Sequence, residues 1–206
     1  MRSPENLLPV SFYSRSDVTL VSRELLGKRL CTLIDGHFTS GIIIETEAYC
    51  GRGDKACHAN NGKRTPRTEV MFGKPGHAYI YLCYGIHHLF NVVTNREGLA
   101  DAVLVRAVLP ESGVERMQQR RGGTTFKNLT SGPGKFTQAL GITTHFNKTS
   151  LFTKPVWIED TPLMISPSDI ARSKRIGIDY AEEDAHRPWR YTIDPASLKE
   201  EEEEEE

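Results

Sequence analysis

The sequence has no apolar run approaching the roughly 20 residues of a membrane span, and its first residues lack a signal peptide's basic-then-apolar layout. These absences point to a soluble, intracellular protein with no membrane partner. Cysteine is scarce: Cys31, Cys50, Cys57 and Cys83 are the only four, and none forms a C-x-x-C pair. Zinc-ribbon and thioredoxin readings are therefore weak, and free, reduced thiols are expected. A nucleotide P-loop is also missing, because Ser131-Gly132-Pro133-Gly134-Lys135 lacks the G-x-x-x-x-G-K-[ST] spacing. No internal repeat is present, and no linker precedes the C-terminal acidic run. An excess of basic charge is missing only in the total. The formal charge is −1, but Glu200 to Glu206 is an unbroken run of acids; residues 1–199 carry 26 basic against 20 acidic side chains, a net of +6. A basic body favours an anionic partner such as nucleic acid. Like charges at the density of the terminal run predict a disordered tail.

What is present fits a single domain of 206 residues, long enough for a hydrophobic core. Residues 1–15, with Pro4, Pro9 and the Leu7-Leu8 pair, read as an arm lying on the domain. Ser16 or Asp17 caps a helix through Val18, Leu20, Val21, Leu25 and Leu26, which Gly27 ends. Lys28 to Ile34 and His37 to Tyr49 read as two arms of a hairpin turning at Asp35-Gly36. A second hairpin joins His77–Cys83 to Ile86–Thr94 through Tyr84-Gly85, and Ala102–Val108 is a further strand. Helices are expected over Glu111–Arg121, after the Gly-rich Ser131–Lys135 stretch, and from Ser168 or Asp169; Pro155–Ile158 reads as a short strand.

The chemistry concentrates at the end of the first hairpin. Ile42-Ile43-Ile44 is a β-branched apolar run that leads into Glu45-Thr46-Glu47-Ala48-Tyr49, so carboxylates arrive where core becomes surface. Alternation along a strand sends Glu45 and Glu47 to one face and Thr46 and Ala48 to the other. This is a place for a general base. Arg106, alone in Val-Leu-Val-Arg-Ala-Val, needs a partner inside an apolar strand, and Glu45 or Glu47 can supply it. The polar stretch from Cys50 to Gly76 is too long to be idle in a compact domain, and its Lys63, Arg64, Arg67 and Lys74 are spaced to meet phosphates. Tyr84, at a hairpin tip, is badly placed for the protein's own core and well placed to wedge into a partner.

Taken in order, Glu45-Thr46-Glu47-Ala48-Tyr49, Cys57-His58, Met71-Phe72-Gly73-Lys74-Pro75-Gly76, Tyr79-Ile80-Tyr81-Leu82-Cys83-Tyr84-Gly85, Asn91, Val105-Arg106-Ala107 and Ser131-Gly132-Pro133-Gly134-Lys135 resemble the alkyladenine (3-methyladenine) DNA glycosylase family. The resemblance spans roughly residues 16–193. It implies an α+β domain with a curved antiparallel sheet, a protruding β-hairpin and peripheral helices. It further implies removal of alkylated or deaminated purines, such as 3-methyladenine, 7-methylguanine, hypoxanthine and ethenoadenine, flipped out of duplex DNA. On this resemblance Glu47 is the general base that activates a water, and Arg106 helps to hold that water. Tyr49, His58 and Tyr81 sandwich the flipped base, Asn91 crowds out the guanine amino group, and Tyr84 fills the gap left in the duplex. Lys135 joins Lys63, Arg64, Arg67 and Lys74 as expected DNA contacts. No cofactor or metal is implied. A minimal, bacterial-type enzyme is implied, monomeric, cytoplasmic and associated with the nucleoid; Ile86-His87-His88 departs from the pattern after the hairpin tip.

Two other readings compete. A binding module of the same fold would recognise damaged DNA or structured RNA, keeping Tyr84 and the loop cations without depending on Glu47. A metal hydrolase would use His58, His77, His87 and His88, but adjacent His87 and His88 point to opposite faces of a strand, which disfavours one shared ion.

Overall fold

The computed structural model describes residues 3–200, with the side chains of Lys199 and Glu200 outside the description. The expected tail therefore lies outside the described residues from Glu201 onward. Glu200 itself closes a two-residue strand, Lys199–Glu200, paired antiparallel with Leu163–Met164.

The organising element is a thirteen-residue strand, β2 (His37–Tyr49), preceded by β1 (Arg29–Ile34) across a turn with positive φ at Asp35 and Gly36. Its first half pairs with β1 and its second half, through Glu45–Glu47, with a late strand Arg190–Ile193. Along its other edge runs β5 (Asp101–Ser112). A second hairpin, β3 (Ala78–Cys83) and β4 (His87–Thr94), extends the sheet beyond β5, giving the order β3-β4-β5-β2-β1 with every pairing antiparallel. Short strands Val156–Glu159 and Phe152–Thr153 complete that side.

Period-two alternation divides this sheet into two chemically different faces. On one face Ile43, Ala48, Ile80, Phe90, Val92, Val103 and Val105 belong to the main core. Three helices supply its other half: α2 (Val18–Glu24), α3 (Val114–Arg120) and α4 (Pro133–Leu140), the label α1 going to the single turn Val10–Tyr13. Val21, Leu25, Met117, Phe136 and Leu140 are fully buried there. Asp17 caps α2, accepting from the amides of Thr19 (2.9 Å) and Leu20 (3.3 Å). Thr46, on the core face of β2, donates to the Ser22 carbonyl at 2.8 Å and ties that strand to α2. The architecture is the expected α+β one, a curled antiparallel sheet with helices on one side.

Two expected elements differ. The helix expected from Glu111 begins at Val114, because Glu111 and Ser112 continue β5: the Glu111 carboxylate takes Arg29 bidentately at 2.6 and 2.7 Å and Ser40 Oγ at 2.8 Å. The helix expected from Ser168 or Asp169 is one 3₁₀ turn, Pro167–Asp169, followed by a strand, Ile170–Ser173, that pairs with Arg190–Ile193. The strand pairing outweighs the local helix-start signal. No helix among the described residues is long and apolar enough to cross a membrane.

Candidate active site

The face of the sheet turned away from the main core carries the site. Cross-strand register aligns Tyr79 with Asn91, Asn91 with Leu104, Leu104 with Glu47, and Glu47 with Arg190. Tyr79, Asn91 and Leu104 line a cleft of 660 Å³ together with Tyr49, His58, Tyr81, Arg106 and the Gly132–Lys135 segment, while Glu47 is buried next to the lining residues Tyr49, Arg106 and Ile176, each of which contacts its carboxylate. At ~4.8 Å between strands, the row from Tyr79 to Glu47 spans about 14 Å.

Two compensating irregularities aim the charged groups. Between β2 and β5 the pairing passes from Ile43–Val108 to Glu45–Ala107 and then to Thr46–Val105, so Ile44 and Arg106 are each left without a partner in register. Such bulges redirect side chains next to functional surfaces. Arg106 turns onto the carboxylates: its Nε donates to Glu45 Oε1 at 3.0 Å, and its Nη1 lies 3.4 Å from Glu47 Oε1. Arg190 also donates to Glu45 Oε1, at 2.6 Å. The adjacent carboxylates expected on one face are thus compatible because Glu45 is held by two arginines.

Glu47 is completely buried. Its Oε2 accepts from Tyr49 Oη at 2.7 Å and its Oε1 from the Ile176 amide at 2.8 Å. Burial raises its pKa above the ordinary 4.5, while Arg106, Tyr49 and the Ile176 amide oppose that rise. A carboxylate so held is a stronger base than one in water, yet its orientation is defined by two donors and the Arg106 cation.

The aromatic residues gather at the other end of the row. His58 Nδ1 lies 3.0 Å from Tyr79 Oη, and its ring meets Tyr81 edge-on at 4.9 Å. Tyr79 and Tyr81 stack at 5.3 Å. Burial, then Arg67 and Lys63, push the His58 pKa down to about 4, so the ring is neutral at physiological pH. Asn91, 4% exposed, spends its Nδ2 on the carbonyls of Tyr79 (3.0 Å) and Leu89 (3.4 Å). Tyr84 is 91% exposed at the tip of the β3–β4 hairpin, flanked by exposed Leu82 and Ile86. Tyr84 and Gly85 both have positive φ in a three-residue loop, because Cys83 pairs with His87 and the returning strand expected from Ile86 begins one residue later; an aromatic in that conformation is uncommon.

The cations spread differently from one another. Lys63, Lys74 and Lys135 are exposed, and Lys135 stands on the cleft rim at the start of α4. Arg64 pairs with Glu69 at 2.7 Å and covers the Phe72 ring. Arg67 lies within the cleft wall, its guanidinium 4.4 Å from the centre of the Tyr81 ring. The histidines do not converge: His77 Nδ1 lies 3.3 Å from the Pro75 carbonyl, and His88 Nδ1 accepts from the Thr144 amide. Among the described residues, no group of three or more His, Cys, Asp or Glu side chains is arranged to hold a metal ion. All four cysteines are free thiols.

Several contributors escaped the sequence reading. Arg175 and Asp54 form a fully buried bidentate pair at 2.6 and 2.8 Å. Arg175 also donates to the Ala48 carbonyl on β2 at 2.8 Å and stands 4.8 Å behind the Tyr49 ring. The next residue, Ile176, supplies the amide on Glu47, so one segment contacts both Glu47 and Tyr49. Arg175 ends a polar Arg172-Ser173-Lys174 run that reads as surface, and nothing in its spacing signals burial. Ile176, Ile178 and Tyr180 line the cleft from the same segment.

Comparison with known proteins places the chain in a family. The methylpurine-DNA glycosylase (MPG) family model matches residues 11–197. A Bacillus thuringiensis (strain Al Hakam) protein named "Putative 3-methyladenine DNA glycosylase" is 48% identical over 192 residues, which cover 89% of this chain and 93% of that protein. Proteins of the same name from Bacillus mycoides (strain KBAB4) and Bacillus cytotoxicus are 47% and 46% identical, each over 89% of this chain and 94% of their own length. The chain belongs to the methylpurine-DNA glycosylase family and is a DNA glycosylase.

Proposed function

We propose that this enzyme flips alkylated or deaminated purines out of duplex DNA into the cleft and hydrolyses the N-glycosidic bond with a water activated by Glu47. The observation that carries the reading is the fully buried Glu47 carboxylate, held by three residues that line the cleft, Tyr49, Ile176 and Arg106, with His58, Tyr79 and Tyr81 lining the same cleft. N-glycosidic cleavage passes through an oxocarbenium-like centre, which a nearby carboxylate stabilises while it takes the proton of the attacking water. Arg106 supplies a fixed cation beside that water. A flipped purine needs stacking faces to offset the few kcal/mol of unstacking, and Tyr49, His58 and Tyr81 are the rings that offer them. Asn91 stands below, where its carboxamide meets the base edge and disfavours a guanine amino group. Tyr84 plugs the duplex vacancy, and Lys63, Lys74 and Lys135 meet the backbone.

The reaction is monofunctional on this reading. No lysine stands beside Glu47 or Arg106 on the strands that carry them, β2 and β5. Borohydride trapping is expected to yield no covalent DNA adduct. The leading test is single-turnover excision from duplexes bearing hypoxanthine, ethenoadenine or 7-methylguanine, in chelator, against Glu47→Gln. The variant is expected to bind the lesion as well as wild type and to cut at least ~100-fold more slowly. If wild type binds tightly and releases no base, the protein is a damage-binding module instead.

A further inference from the structure

We propose that Arg67 is a specificity-determining residue that stabilises neutral purines as they leave. This rests on the glycosylase reading above and assigns one side chain in its cleft a role in choosing among substrates.

The observation is a cation without an anion. Arg67 Nε lies 3.3 Å from Tyr79 Oη, its Nη2 lies 3.3 and 3.4 Å from the two ring nitrogens of His58, and its guanidinium covers Tyr81. All three partners are neutral, and Arg67 makes no ion pair among the described residues. The other arginines around the site are compensated: Arg106 by Glu45 and Glu47, Arg190 by Glu45, Arg175 by Asp54. The positive potential of Arg67 already contributes to holding His58 unprotonated. Its side chain is exposed and its polar contacts are long, so it can yield the Tyr81 face to an entering base and remain within reach of the base edge.

The two classes of lesion respond oppositely to such a charge. In both, the C1′–N bond breaks with its electron pair going to the purine, while the water oxygen bonds to C1′ and its proton goes to Glu47. A purine made cationic by N-alkylation departs neutral and never carries negative charge. A neutral purine such as hypoxanthine departs as an anion, and the proton that Glu47 took from the attacking water is returned to it through solvent. Arginine stays protonated and donates through several N–H groups, so it stabilises that anion without a proton transfer. The same guanidinium repels a cationic base in the ground state.

Arg67→Gln and Arg67→Lys are compared with wild type in single-turnover excision of hypoxanthine and of 7-methylguanine from one duplex sequence. DNA affinity is followed against salt, and thermal unfolding is measured in parallel. Arg67→Gln is expected to slow hypoxanthine release roughly tenfold or more while 7-methylguanine release holds or rises. Arg67→Lys is expected to recover part of the hypoxanthine rate. Equal losses on both bases, with a salt slope reduced by about one, would identify a phosphate contact and overturn the proposal. Equal losses with a lowered unfolding temperature would identify a structural role and do the same. Release of neither base by wild type would instead remove the reading on which the proposal rests.

Discussion

Glu47 joins function to instability in a single residue. Its raised pKa means the folded state favours the neutral carboxyl, so stability is greater below 4.5 and falls as pH rises through the folded value. Glu47→Gln is therefore expected to unfold at a higher temperature than wild type at pH 7, with the advantage shrinking as pH falls through the folded value and gone below 4.5, as thermal scans across that range will show. On the proposed mechanism catalysis has the opposite sign, because only the carboxylate can accept a proton. Excision by wild type should rise with pH through a midpoint above 4.5. His58, with its pKa near 4, adds stability above 6.5 that is lost as pH falls from there towards 4. The Asp54–Arg175 pair is a second residue-scale test. Asp54→Ala strands a buried guanidinium behind Tyr49, and urea denaturation should show a loss of about 3–5 kcal/mol.

At the scale of the element, the proposed role of the β3–β4 hairpin separates recognition from folding. Its base is locked into the sheet, with Tyr79 and Tyr81 facing the cleft, while its tip presents Tyr84 almost wholly to solvent. Tyr84→Ala should therefore leave stability within about 0.5 kcal/mol of wild type. It should slow excision roughly tenfold, because a lost base–aromatic stack is worth about 1–3 kcal/mol. Stopped-flow fluorescence of a base analogue beside the lesion would follow the flipped population directly. The hairpin also rests on the start of α4: a Cβ on Gly134 would come within 2.7 Å of the His87 ring, so only glycine permits this approach. β2 plays the complementary part, one face bonded to α2 and the other bearing Glu45, Glu47 and Tyr49.

At the scale of the whole molecule, the charge of the body outweighs the formal −1 of the chain. Affinity for duplex DNA should fall steeply with salt, log K declining by about 0.9 per log unit for each phosphate contact. Lys135→Ala, on the cleft rim, is expected to lower that slope by about one and to weaken damaged and undamaged duplexes alike. Titrations at several salt concentrations check both statements.

Much of this molecule is local, and the local part was open to reading. Asp35-Gly36 and Tyr84-Gly85 demand tight turns, Asp17 caps the helix beginning at Val18, and alternation alone sends Glu45, Glu47 and Tyr49 to one side of a strand and Thr46 and Ala48 to the other. The need of Arg106 for a carboxylate comes equally from burial. Pairing across the sheet is not local. That Tyr79, Asn91, Leu104 and Glu47 form one row depends on register among four strands, and the bulges that free Ile44 and Arg106 leave no mark in composition. The same holds for Arg175, whose polar run reads as surface until Asp54, 121 positions away, gives it a reason to be buried. Sequence by itself determined which residue types could carry the chemistry and which face of each strand they took, because side-chain period and turn conformation are properties of neighbours. Tertiary structure alone decided which of them meet, because a cleft is a relation between segments that only packing brings together.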